Sequence, residues 1–319
     1  MAQPTNTFDS YDAIGGREDL SEVIYNLSPT QTPFLAMAQK LKAKNTYHEW
    51  QTDSLASPDT DNAVIEGDDA TLDEATPTAR VGNYTQISDK TVVVSGTQEA
   101  TDKAGRKSEL SYQIAKKAKE LKRDMEAILT GNQASAAGSS SVARKTGSVE
   151  AWLTTNVSRG TGGLSGGFAA GIVSAATDGT ERAYTEDLLK DVIQSCWSNG
   201  GDPSVIIVGP KNKAVGSGFS GIATQYRENT GTKQATIIAG ADVYVSDFGE
   251  HRIVASRFSR DRSALVLDPE YWGVAYLRPF RQHTLSKTGD SEKRQLLAEY
   301  TLVAKQEASS GVVADLTTP

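Results

Sequence analysis

Cysteine occurs once in 319 residues, at Cys196, which excludes an internal disulfide framework and any metal site built from several thiolates. A chain without disulfides suits a reducing compartment, the cytosol by default. Histidine is nearly as scarce: His48, His251 and His283 are the only three, and no two share a ligand spacing. HExxH, CxxC and calcium-loop patterns are missing, so no metal and no cofactor is expected. No apolar run is long enough for a transmembrane helix, so no membrane association is expected. The opening MAQPTNTFDSYDAIGG lacks the basic and apolar regions of a signal peptide. The sequons at Asn26, Asn83 and Asn156 are therefore read as silent. Basic residues are in deficit too. Lys and Arg total 33 against 40 Asp and Glu, a net charge of −7. That argues against sequence-independent nucleic-acid binding, which rests on an excess of cations.

Catalytic constellations are equally thin. GLSGG, residues 163–167, has the spacing of a nucleophile elbow. That motif needs a strand before it and a helix after it, and Ser165 sits instead in a run of Gly, Ser and Thr. GTGGLSGG lacks the spacing and the leading strand of a dinucleotide fingerprint. No residue is nominated as catalytic, and no enzyme is expected.

What is present is an unusual order of elements. Residues 1–17 are polar. REDLSEVIYNLSP then reads as a short helix with Leu20, Val23, Ile24 and Leu27 on one face and Pro29 at its end. TPFLAMA adds a second apolar cluster. Such an arm cannot bury its patches alone and needs a body to lie on, its own or a neighbour's. TYHEWQT, residues 46–52, alternates like a strand, and RVGNYTQISDKTVVVS, residues 80–95, is rich in β-branched residues. Between them, residues 53–79 hold eight carboxylates and no Lys or Arg. The pattern predicts a long two-stranded ribbon with an acidic tip, marginal in water without support.

A long amphipathic helix is predicted over 97–130, with Ser95 and Gln98 as a capping box and Gly105 weakening the first turns. Its apolar stripe runs Leu110, Ile114, Ala118, Leu121, Met125, Ile128, and its other faces carry Lys116, Lys117, Lys119, Lys122 and Arg123. Gly/Ser-rich loops follow on either side of VEAWLTTN. From Thr185 the character becomes α/β: a capped helix TEDLLKDVIQSCW with Leu188, Leu189, Val192, Ile193, Cys196 and Trp197 facing inward, a buried strand SVIIVG, a short helix PKNKAVGSGF, and then strands. The last of these, RQLLAEYTLVAKQ, is long.

The stretches GREDLSEVIYNLSPTQTPFLAMA (16–38), HEWQTDSLA (48–56), ELSYQIAKKAKELKRDMEAILTGNQA (109–134) and EAWLTTN (150–156) resemble the major capsid proteins of tailed bacteriophages, whose fold is shared with herpesvirus capsids. The resemblance spans nearly the whole chain. It implies an α+β fold made of an N-arm (1–45), an extended β-ribbon loop (46–95), a peripheral domain (96–182 and 269–319) with spine helix 97–130, and an axial α/β domain (183–268). It implies self-assembly into hexamers and pentamers of an icosahedral shell that encloses double-stranded DNA without sequence-specific binding. The chain would be a virion protein assembled in the host bacterial cytoplasm, with a portal protein and, in some relatives, a decoration protein as partners. Only about 45 residues precede the ribbon, so a separate scaffolding protein is expected. Contacts between subunits are expected at Asp68, Asp69, Asp73, Glu74 and Arg80 of the ribbon, at Trp50 and Phe34, and at Lys116 and Arg123 of the helix. The rival reading is a soluble α/β binding protein with a disordered acidic insertion.

Overall fold

The computed structural model describes residues 31–67, 69, 75–102, 105–219 and 243–318. The arm and helix read over 1–30, the carboxylates Asp68, Asp73 and Glu74, and the segment ATIIAG (235–240) lie outside the described residues.

Two sheets organise the chain. The first has the order β1-β12-β13-β4. Strands β12 (Trp272–Thr284) and β13 (Ser291–Ala304) form a long antiparallel hairpin, β4 (Gln86–Ser95) pairs antiparallel with β13, and β1 (Gln39–Lys42) runs parallel to β12. Alternation along β4 explains its two faces: Val92 and Val94 are buried, while Thr91, Val93 and Ser95 face solvent. The helix α3 (Glu109–Thr130) lies against this sheet and buries Leu121, Met125 and Leu129, with Ile114 and Ala118 packed on the same core. Phe34 from the short helix α1 (Pro33–Met37), Trp272, Tyr300 and Leu302 complete that core.

The predicted continuous helix over 97–130 is two helices. The first, α2 (Gly96–Ala100), starts at Ser95, whose hydroxyl accepts from Gln98 N as expected. The chain then leaves the helix, with Gly105 at φ +75, a left-handed conformation that glycine adopts without steric cost. Ser108 starts α3 by accepting from Ser111 N at 3.2 Å. The long helix is 22 residues, about 33 Å at ~1.5 Å per residue, shorter than the predicted span of 97–130. The buried stripe also ends on Leu129 rather than Ile128.

The second sheet has the order β5-β14-β11-β8-β10-β9. Its strands are β5 (Asn156–Ser158), β8 (Val205–Val208), β9 (Val243–Ser246), β10 (Gly249–Ala255), β11 (Ala264–Leu267) and β14 (Gly311–Val313). The outer strands β5 and β14 thus come from outside 183–268. The helix α5 (Glu186–Ser198), capped by Thr185 as predicted, buries Leu189, Val192, Ile193 and Cys196. These meet Ile206, Val208, Val266 and Val313 on one face of the sheet. Trp197 does not join them. It is 58% exposed and its ring lies 5.3 Å from that of Phe248, because it sits at the helix's solvent edge.

The opposite face of the same sheet presents Ile207, Leu265, Leu267 and Val312 to the core beneath α3. Period-two alternation therefore gives the central strands β8, β11 and β14 a foot in both cores. The six-stranded sheet is a wall shared by the two halves.

Candidate assembly surfaces

Among the described residues no chemistry-bearing constellation comes together. Ser165 is exposed in the loop that leads into a three-residue strand, Gly167–Ala169. The histidines sit on three separate strands: His48 on the ribbon strand Tyr47–Thr52, His251 on β10 and His283 on β12. His251 is buried between the Pro203 carbonyl and the Ser246 hydroxyl, the latter at 2.6 Å from Nε2. Burial lowers its pKa, with the Pro203 carbonyl opposing. Cys196 is buried and its thiol is pushed up to about 12 by desolvation, so it is inert rather than nucleophilic. Among the described residues no group of His, Cys, Asp or Glu could hold a metal ion, and no helix is long and apolar enough to cross a membrane.

The ribbon behaves differently at its two ends. At the base, β2 (Tyr47–Thr52) and β3 (Ala79–Tyr84) pair antiparallel from Tyr47↔Tyr84 to Thr52↔Ala79. Trp50 donates its indole N–H to the Ala304 carbonyl at 2.8 Å and lies 5.5 Å from the Trp152 ring. Asn83, fully buried, accepts from Gly147 N at 2.9 Å and donates to the Leu302 carbonyl at 3.0 Å. Thr85 donates to Glu299, a buried carboxylate that also holds Arg144 and Arg278, each at 2.6 Å. The base is bolted to the first sheet.

Beyond Thr52 the hold loosens, with the Asp53 carbonyl accepting from Gln306 Nε2 at 3.4 Å. Residues 53–67 and 75–78 carry no strand and every one is exposed. Asp53, Asp59, Asp61, Glu66 and Asp69 face solvent there. So do three large apolar side chains, Leu55, Val64 and Ile65, at 99%, 87% and 77% exposure. An acid-rich tip was legible in the sequence. The apolar residues within it were hidden among the carboxylates.

The remaining predicted contact residues divide by location. Lys116 is exposed on α3. Arg80 is 73% exposed but already paired with Glu49 across the ribbon at 3.0 Å. Arg123 lays its guanidinium over the Phe258 ring at 5.0 Å. Trp50 is half-buried on its own chain, and Phe34 is fully buried in its own core. Phe34 has no surface to offer a neighbour, which corrects its assignment as a contact. The backbone N–H groups of Phe34 and Leu35 both end on Glu126, at 2.8 and 2.9 Å, so a buried carboxylate from α3 anchors the first turn of α1.

That docking leaves a groove of about 420 Å³ between α1, α3 and β12. Leu35, Tyr276, Pro279 and Phe280 line it, and Lys40 and Lys122 stand at its rim. Tyr276 and Phe280 lie ring to ring at 6.2 Å. The Lys122 ammonium is 6.0 Å from the Phe280 ring, within reach of a cation–π attraction.

Comparison with known proteins sets this geometry in context. The family model for the SU10 major capsid protein matches residues 3–317. The major capsid protein of Escherichia phage Phieco32 is 29% identical over an alignment 360 positions long, covering 98% of this chain and 97% of that protein. Among solved structures, a chain of Gordonia phage Cozz superposes with a TM-score of 0.61 at 10% identity, covering 99% of this chain and 98% of that one. A chain of the Cyanophage A-1(L) capsid asymmetric unit gives 0.62 at 13% identity, covering 97% and 99%. At such identities the likeness is one of fold.

Proposed function

The chain belongs to the SU10 major capsid protein family and is a phage major capsid protein, a structural component of the virion shell; from that premise we propose how its parts build the shell. Copies associate into hexamers and pentamers that close an icosahedral container around double-stranded DNA, without sequence-specific binding. The acidic balance suits a container that must release its contents.

The observation that carries this reading is the ribbon, bolted at its base and unsupported at its tip. Ordering such a segment costs about 1–2 kcal/mol per residue of backbone. The described residues of 53–78 are all exposed, so little within the chain offsets that cost for them. Burial against another copy does, as obligate interfaces of more than ~2,000 Å² can. The ribbon (46–95) is the extended loop draped on a neighbour, and residues 1–45 form the arm. The sheet beneath α3 is the peripheral domain with α3 as its spine. The six-stranded sheet carries the axial domain, whose tips meet at capsomer centres. A separate scaffolding protein, a portal protein and in some settings a decoration protein are its partners, and assembly takes place in the bacterial cytoplasm.

Electron microscopy and size-exclusion chromatography of the purified chain test this. Closed shells, tubes or capsomer rings are expected. Deleting 54–78 should leave folded subunits with unchanged far-ultraviolet circular dichroism but a damaged lattice. A chain that stays a 34 kDa monomer with a scaffolding partner present would instead favour the soluble binding-protein reading.

A further inference from the structure

The ribbon tip leaves Leu55, Val64 and Ile65 in water among carboxylates, with no Lys or Arg between residues 53 and 79. A surface suited to such a segment must be concave, apolar and rimmed by cations. The groove between α1, α3 and β12 has all three properties. Its floor offers Phe280, still 39% exposed. Its rim offers Lys40 and Lys122, and neither forms an ion pair with a described residue. The described tip residues of the same chain do not fill it, since they are exposed while the ribbon base is fixed through Trp50 and Asn83.

We propose that this groove is the seat for the ribbon tip of a second copy, with Val64 and Ile65 entering it and Asp61 and Glu66 meeting Lys40 and Lys122. The assignment rests on the reading that the ribbon lies on a neighbour, and it names the acceptor. The apolar insertion supplies the holding interaction, because a few desolvated anchors dominate an interface. The charges supply register and exclude wrong partners more than they add strength.

Because Cys196 is buried, an introduced cysteine pair reports without background. Assembled shells carrying Ile65→Cys with Phe280→Cys should give, on oxidation, a ladder of covalently linked chains on denaturing gels. Dissociated subunits should give none. Shells of normal form whose chains stay single would overturn the proposal, and so would a cross-link internal to isolated subunits. Should the cysteine pair block assembly, a charge swap decides. Lys40→Glu with Lys122→Glu should raise the concentration needed for assembly by about tenfold. Adding Asp61→Lys and Glu66→Lys to the same chain should restore it, and failure to restore overturns the contact. A wild-type chain that never forms shells would remove the underlying reading as well, so the two failures are distinguishable.

Discussion

Single buried polar residues, not hydrophobic ones, mark the joints of this protein. Among the described residues the Glu126 carboxylate meets no cation, only the N–H groups of Phe34 and Leu35. Burial raises its pKa above the usual 4.5, the two N–H donors opposing. A raised carboxyl pKa means that the folded chain binds this proton more tightly than the unfolded chain. Its contribution to stability is therefore fully present below about pH 4.5 and is lost as pH rises through the folded value. Glu126→Gln removes that titration, so the stability gap between wild type and variant should be widest near pH 4.5 and narrow towards neutrality. Urea denaturation at pH 4.5, 5.5 and 7 measures it, and a constant gap would contradict the assignment. Asn83→Ala leaves Gly147 N and the Leu302 carbonyl without their partner, at about 1–3 kcal/mol for each buried group, which thermal unfolding would register as a clear loss. The sequon residues Asn83 and Asn156 both have buried side chains. No sequence signal singles out Glu126 or Asn83. Their partners lie 91 and 92 positions away for one and 64 and 219 for the other, and nothing local distinguishes them from surface residues.

Elements were legible where periodicity was strong and blurred where a local competitor intervened. The stripe of α3, the cap of α5 at Thr185 and the long strand β13 all follow from spacing alone. The break before α3 was only half visible: Gly105 was seen as a weakness, but not Ser108 as a fresh start. Nor was the second clamp visible. The Glu99 carboxylate, carried by α2, accepts from Glu109 N and Leu110 N at 3.0 and 3.2 Å, satisfying two of the donors that a helix start leaves open. Glu99→Ala should cost about 1 kcal/mol of local stability. Amide exchange should accelerate over residues 109–112 and stay unchanged over 121–130. Met125→Ala belongs to the opposite end of α3, where no solvent can fill the space. A loss of about 2–5 kcal/mol is expected there, seen as a lower urea midpoint.

At the scale of the molecule, charge is segregated: an acidic ribbon tip on one side and the Lys40–Lys122 rim on another. Surface attraction of this kind is screened within about 3 Å at 1 M salt and reaches ~10 Å at 0.1 M. Assembly should therefore demand more protein as salt rises, a trend that light scattering would follow, while apolar burial keeps it from vanishing. The order of ribbon strands, long helix and α/β unit was legible because each carries its own composition. The shared wall was not, since β14 pairs with β11 across 45 to 49 positions and the runs VIIV and ALVL look equally buried on both sides. That wall has a mechanical consequence. A sheet with one face in each core cannot be bent without disturbing both, so the chain should answer a load as a single plate. Under the outward push of a packed genome, or the tip of an indenting probe, the seams between plates should yield before any plate does.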